Sequence, residues 1–430
     1  MKILHYTLGF APERSGGLVR YATDLMQAQV SQGHDVVALY PGAYRPWQKA
    51  SSIGPGKKGL GFQTYRLINS PPLPISGGIL SPDDFMARAD KAAYQQFLQK
   101  VRPDLIHLHT LMGLHKEWLE AVKTLDIPVV MTSHDYFGLA PVPSFYGQGR
   151  SFTEDNSNQA WQLMSQEGMS TQQLRLFQAP FYPQIRRLAR LLKRQTGLPA
   201  VKKDLSEVDY SALMDYYQSM FALVDGYHFN SHLARQVFEK NLSQAPAFSR
   251  VLNISHGGIK PLARTQTWTS PPRLAYIGPD FPHKGFDFFV ALAEKWQSRP
   301  EAFDWHTWGH APRRDLPGFI QQHGSFGPGQ ASEVYQSFDV LIVPSQWAET
   351  FGFIVLEALS YGKMVLASNQ VGAKDLLPEA WVFKNEAELS SILEGLTEQH
   401  YQGPIKGLVE HVAELEDFYQ EVIRGGAKHG

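Results

Sequence analysis

Residues 2–41, "KILHYTLGFAPERSGGLVRYATDLMQAQVSQGHDVVALYP", read as one βαβ unit. "KILHYTL" suits a strand, "APERSGG" a turn, and "HDVVALYP" a second strand. Between them, "LVRYATDLMQAQVSQG" repeats its apolar residues at helical spacing. A helical crossover returns the chain in the direction it came from, so such a unit predicts a parallel sheet.

The alternation continues outward from that unit. A helix over roughly 84–101 leads into "DLIHLHT", and "KEWLEAVKTLD" leads into "IPVVMTSHD". Residues 41–83, rich in Gly, Pro and Ser, read as long loops. The pattern breaks at 150–215, which predicts a helical insertion, and resumes with "SALMDYYQSMFALVD", "GYHFNS" and "HLARQVFEKNL". A second alternating run starts at "RLAYIG" and passes through "FDWHTWG", "DVLIVPS" and "MVLASN". The joint lies in "VLNISHGGIKPLARTQTWTSPPRL". The expected fold class is α/β: two facing Rossmann-like, doubly wound parallel-sheet domains. The first, residues 1–255, carries the insertion; the second is 256–408; a last helix, 409–430, is expected to pack back on the first domain.

Composition narrows the functional classes. Forty basic residues against 41 acidic ones leave a formal charge of −1, so nothing marks a nucleic-acid binder. There is no cysteine, which excludes disulfides, cysteine nucleophiles and Cys-type zinc sites. "MKILHYTLGF" is too short and polar for a signal peptide, and no run approaches the ~20 apolar residues of a membrane span. The expectation is a cytoplasmic chain whose contact with a membrane, at its inner face, would be peripheral.

In doubly wound sheets ligands sit beyond the carboxyl ends of the strands. There the chain places Gly16 and Gly17, His109, His134 with Asp135, the segment Gly278–Gly285, and "PSQWAETFGFIVLEALSYGK", residues 344–363. In this last stretch Thr350 is expected to cap a helix and Gly352 to leave its first turn open. The amides of Thr350, Phe351, Gly352 and Phe353 would then form an anion site. Glu357 lies inside an apolar helix with no cation three or four positions away, so its partner must come from elsewhere in the fold or from a ligand such as ribose. Lys284, in a Gly-bounded loop after Gly278, suits a diphosphate, and His134 suits a sugar hydroxyl or a proton. Each of these residues also has a plain structural reading. His107 and His109 point the same way on a strand, but no carboxylate at metal-ligand spacing accompanies them, so no metal site is expected.

"PSQWAETFGFIVLEALSYGKMVLAS" resembles the E-x7-E segment of retaining glycosyltransferases of the GT-B fold, family four. The likeness runs in family order through the early glycine pair, "DLIHLH", "TSHD", "VDGYHFNS", "HGGI", "IGPDFPHKG", "FDVLIVPS" and the final helix. It implies that the helix beginning at "FGF" binds a donor diphosphate, that Glu357 binds the ribose and that Glu349 contacts the transferred sugar. It further implies that Lys284 neutralises the leaving diphosphate and that His134 lies against the donor sugar. Pro279 stands where the family usually has arginine; Arg313 and Arg314 are candidates to replace it. "VGAKD", with Gly372, Ala373 and Asp375, stands where the family has Gly-Gly-Glu.

The resemblance implies a metal-independent hexosyltransferase without a cofactor. It would move a sugar from a nucleotide-diphosphate donor to a hydroxyl of a glycan or lipid-linked glycan, in cell-surface polysaccharide synthesis. A nucleotide-sugar epimerase and a non-catalytic nucleotide-sugar-binding protein remain alternatives. In the basic segment 184–203 and the proline before it, "PQIRRLARLLKRQTG" interleaves leucines with arginines, as an interfacial helix on an anionic membrane does; a solvated helix packed on the core is the other reading.

Overall fold

The computed structural model describes residues 1–48, 50–74, 77–179, 202–260, 267–299 and 303–426. The first domain is built on β1 (Lys2–Tyr6), β2 (Asp35–Pro41), β3 (Ser52–Pro55), β4 (Gln63–Ile68), β5 (Leu105–Leu108) and β6 (Val129–Thr132). A short hairpin, β7 (Tyr146–Gly147) and β8 (Arg150–Ser151), stands apart, and β9 (Gly226–Phe229) and β10 (Phe248–Val251) complete the sheet. Its order is β10-β9-β6-β5-β1-β2-β4-β3, parallel except for the β3–β4 edge pair. β5, β6 and β9 are buried along their whole length, as strands covered by helices on both faces must be.

The second domain holds β11 (Arg273–Ile277), β12 (Asp304–Trp308), β13 (Ile320–Gln322), β14 (Val340–Val343), β15 (Met364–Ser368) and β16 (Val382–Phe383). They form an all-parallel sheet in the order β13-β12-β11-β14-β15-β16. The fold is thus the expected pair of doubly wound domains. The strand order reverses between β1 and β5 in one sheet and between β11 and β14 in the other, and a crevice opens at each reversal.

Two local expectations are corrected. Residues 41–83 are not all loop: "QTYRLI" pairs in parallel with β2, and Ser52–Pro55 adds an antiparallel edge. The glycines and prolines around them hid a strand whose parallel partner, β2, lies across the intervening loop and edge strand. The helix expected from 84 begins at Lys91, because the Asp90 carboxylate accepts the Ala92 amide at 2.9 Å, while Pro82–Phe85 form a 3-10 turn.

Within the insertion, Asn158–Ser165 and Thr171–Phe177 are helical, each opened by a serine cap. They bury Trp161, Met164 and Leu174 against the first domain's core. Residues 180–201, which include most of the basic segment 184–203, lie outside the described residues. The helix Leu408–Gly426 lays Phe418 and Val422 over β9, where Gly226 has no side chain to obstruct them. Among the described residues no helix is long and apolar enough to cross a membrane.

Candidate functional site

The crevice of the second sheet collects the residues that follow β11 and β14. After β11 the chain turns at Gly278, whose amide bonds the Trp308 carbonyl at 2.9 Å, and reaches Lys284 in a 3-10 turn. Gly285 follows with φ 78°, and a Cβ there would stand 1.8 Å from the Pro344 carbonyl. Only glycine lets these two loops approach so closely. The approach sets Lys284 Nζ 2.6 Å from Glu349 Oε1 and 5.0 Å from the centre of the Trp347 ring. Ser345 donates to the other carboxylate oxygen at 3.2 Å. Arg313 lies 3.9 Å from Asp280, next to Pro279, but its guanidinium is held by Asp315 at 2.6 Å.

The helix Phe353–Ser360 follows Glu349 as expected, but Thr350 does not cap it. Gly352, left-handed at φ 97°, occupies the cap position and offers no side chain. The Thr350 hydroxyl instead donates to the His134 carbonyl at 3.0 Å, and its own carbonyl accepts from Ser231 at 2.6 Å. The threonine is pulled away from its helix because it bridges the two domains. The amides of Gly352 and Phe353 meet no acceptor among the described residues, so the start of the helix presents free donors to the cleft. Gly372 and Ala373 brace this turn from behind, donating to the Glu349 and Phe351 carbonyls at 2.9 and 2.7 Å. Asp375 is turned to the first domain, where it accepts from the His232 amide at 2.8 Å.

Glu357 finds its partners within the protein. Arg20 Nη1 and His256 Nε2 stand 2.7 and 3.0 Å from Oε1, and the Tyr335 hydroxyl donates to Oε2 at 2.6 Å. Burial alone would raise this carboxyl. The contacts of His256 and Tyr335, with the charges of His256 and Arg20, outweigh that and hold it below the usual carboxylate range. The Glu357 charge is therefore paired by Arg20, His256 and Tyr335 alone, and its ribose role rests on the resemblance. No spacing rule could have found Arg20, 337 positions away.

Gly16 and Gly17 open the helix Gly17–Ser31 on the facing domain, and a Cβ on Gly17 would meet the Phe353 ring at 3.2 Å. The glycine pair and the start of the helix Phe353–Ser360 thus confront each other across the cleft. His134, half-buried, packs its ring 4.7 Å from Tyr21. Desolvation, with the neighbouring His228, lowers its pKa to about 3, so it stands neutral. Beside it, burial pushes the Asp135 carboxyl up to about 7 against the pull of the Phe137 amide and Thr110, and its Oδ2 has no hydrogen-bond partner among the described residues.

Behind His134 lies a cluster that the sequence only half revealed. His5, on β1, joins His107 and His109, and their ring nitrogens come within 4.8 Å of one another. This is the one such group of potential metal ligands among the described residues. Every one of those nitrogens already meets a protein partner: Gln29, Tyr419, Thr132, His134 or another ring of the group. The set is a closed hydrogen-bonded array rather than an open cage.

Known proteins share this architecture. Residues 15–166 match the model of Glycosyltransferase Family 4, and residues 271–398 match that of Glycosyl transferases group 1. An uncharacterized 42.6 kDa protein in the cps region of Klebsiella pneumoniae is 20% identical over 307 residues, 70% of this chain and 67% of that one. Sucrose-phosphate synthase from Thermosynechococcus elongatus superposes with a TM-score of 0.56 at 13% identity, over 99% of both chains. Anabaena HepE, solved in complex with UDP, superposes with a TM-score of 0.54 at 13% identity, over 100% of both. With a glycosyltransferase model on each half and whole-chain likeness to two-domain structures of this kind, the chain belongs to the glycosyltransferases of the GT-B fold.

Proposed function

We propose that this glycosyltransferase moves a sugar, with retention of anomeric configuration, from a nucleotide-diphosphate donor to a hydroxyl of a glycan or lipid-linked glycan. The observation that carries the reading is the bridge from Thr350 to His134, 3.0 Å long. It joins the loop of Glu349 and the free helix amides, to which Lys284 is tied by its ion pair, to the histidine on the opposite domain. The donor diphosphate is assigned to Lys284 and the amides of Gly352 and Phe353, the transferred sugar to Glu349 and His134, and the ribose to Glu357. The acceptor is assigned to the first domain near Gly16 and Gly17.

In this reading the acceptor oxygen attacks the anomeric carbon on the face from which the diphosphate departs, and a diphosphate oxygen takes the hydroxyl proton. Lys284 and the helix amides stabilise the negative charge as the bond to the diphosphate breaks. That fixed positive charge leaves the mechanism without need of a metal or cofactor. HepE has been seen with UDP-glucose, in keeping with a donor of this class. A role in cell-surface polysaccharide synthesis, at the cytoplasmic face of a membrane, completes the proposal. Flotation with anionic against neutral liposomes tests the membrane contact.

The deciding experiment incubates the protein with a panel of nucleotide sugars, with and without glycan acceptors. Acceptor-dependent release of nucleoside diphosphate and a product of unchanged anomeric configuration, read by NMR, are expected. Conversion of donor without acceptor would make the protein an epimerase. Binding without any turnover would make it a nucleotide-sugar-binding protein.

A further inference from the structure

The hydrogen bonds around the buried histidines form a single line. His134 Nε2 meets His109 Nδ1 at 3.3 Å, His109 Nε2 meets His5 Nδ1 at 3.1 Å, and His5 Nε2 meets Gln29 Oε1 at 2.8 Å. Gln29 Nε2 reaches the Tyr419 hydroxyl at 3.5 Å, and that oxygen lies 2.7 Å from His107 Nδ1. His107 Nε2 stands 2.7 Å from Thr132 Oγ1, which stands 2.8 Å from His228 Nδ1. The line ends where His228 Nε2 meets the Leu252 carbonyl at 2.8 Å.

The far end settles the direction of every proton. Burial holds the five rings below their ordinary pKa, so each is neutral and carries one N–H. A carbonyl oxygen only accepts, so the His228 proton sits on Nε2 and its Nδ1 must accept. Thr132 therefore donates to His228 and accepts from His107 Nε2–H. His107 Nδ1 then accepts from the Tyr419 hydroxyl, whose oxygen accepts from the Gln29 amide nitrogen. That turns the Gln29 carbonyl to His5, which donates from Nε2; His109 donates to His5, and His134 to His109. The opposite nitrogen of His134, Nδ1, has no partner among the described residues and is not sealed from solvent.

We infer that the Leu252 carbonyl, acting through Thr132, Tyr419 and Gln29, fixes His134 as the Nε2–H tautomer and leaves its Nδ1 as an acceptor for a sugar hydroxyl in the cleft. Gln29 and Thr132 are positioning residues, since neither touches the cleft. The assignment of the sugar rests on the transferase reading above; the assignment of the tautomer does not. Because each group can donate one way only, a single break reverses the line upstream of it.

The test is imidazole 15N NMR of the full chain labelled at histidine, without substrate. In the wild type His134 should show a pyrrole-type Nε2 and a pyridine-type Nδ1. Thr132→Val leaves His107 Nε2 facing a methyl group. Its proton then moves to Nδ1, Tyr419 and Gln29 reorient, and the His134 Nδ1 signal shifts to pyrrole type. Thr132→Ser keeps the hydroxyl and the wild-type pattern. Gln29→Met is the independent break: it should reverse His5, His109 and His134 while leaving His107 and His228 unchanged. A protonated Nδ1 on His134 in the wild type, or an unaltered His134 in either breaking variant, overturns the relay. In turnover assays kcat should fall in Thr132→Val, with the donor KM held, and return in Thr132→Ser. Should the wild type transfer no sugar while the tautomers behave as described, the transferase reading fails and the relay stands.

Discussion

Arg20 Nη1 stands 2.7 Å from Glu357 Oε1, an ion pair that ties the first helix of one domain to the helix Phe353–Ser360 of the other. Gly258 makes room for the arginine, since a Cβ there would stand 2.2 Å from its Nη2, and Asp24 on the same helix accepts the Gly257 amide at 2.8 Å. The "HGGI" turn between the domains is therefore bonded by Asp24 and packed against Arg20, two side chains of one helix. Arg20 is 41% exposed, so the pair itself adds little stability.

That geometry separates the two partners experimentally. Arg20→Ala should change unfolding free energy by no more than about 1 kcal/mol. Glu357→Leu leaves Tyr335, His256 and Arg20 facing hydrocarbon and should cost roughly 3 kcal/mol. Glu357→Gln keeps the shape but loses the charge, and should weaken nucleoside-diphosphate binding about tenfold. Chemical denaturation and isothermal titration measure the two quantities. Equal loss of stability in Arg20→Ala and Glu357→Leu would contradict the partition.

Lys284 offers a kinetic prediction. Its ammonium pairs with the Glu349 carboxylate at 2.6 Å. If it stabilises the departing diphosphate, Lys284→Ala should lower kcat on the order of 10² to 10³ and change the donor KM far less. A glycosyl fluoride, whose leaving group needs no such help, should react with the variant and the wild type at rates within about tenfold of each other. Equal damage to both substrates would assign Lys284 to the architecture of the loop.

The order of strands and helices was legible because apolar periodicity is local: β1 to β2, β11 and β14 all fall where their residues dictate. The ends of β11, β14 and β6 in turn located Lys284, Glu349 and His134. Interactions that join distant segments left no such trace. Glu357 looks unpartnered in its own helix because Arg20, His256 and Tyr335 come from three other places in the chain. His107 and His109 announce a pair, but His5 enters only because β1 lies beside β5 in the sheet. The Thr350 cap failed for the same reason, since a domain contact competed for its hydroxyl.

Acid should unfold the first domain through the histidines buried in it and in the last helix packed on it. Desolvation lowers His5 to about 3 and His228, against its bond to Leu252, to about 4, both below the ordinary value of 6.5. His107, His109 and His411 are lowered by the same burial. The unfolded chain thus binds more protons than the native one below about pH 6.5, so stability is intact above that pH and falls as pH drops towards 4. Each such ring costs about 2 kcal/mol at pH 5. Urea midpoints should fall steeply between pH 6.5 and 5. His411→Gln, which keeps a hydrogen-bonding group beside the Tyr21 hydroxyl, should reduce the proton uptake on unfolding by about one. A midpoint independent of pH in that interval would show the rings to be hydrated.

Thr350→Val distinguishes a domain strut from a helix cap. A lost cap would cost about 1 kcal/mol within the second domain, because the free amides of the helix start would lose their acceptor. Here Gly352 holds the cap position, and the hydroxyl spends its hydrogen on the His134 carbonyl of the other domain. Valine fills the same volume without that bond, so the second domain should keep its stability while the link across the cleft weakens. Small-angle scattering should then report a larger radius of gyration for the ligand-free variant, and turnover should fall because His134 and Lys284 are less often held together. An unchanged radius with a lower melting transition in the second domain would restore Thr350 to its helix.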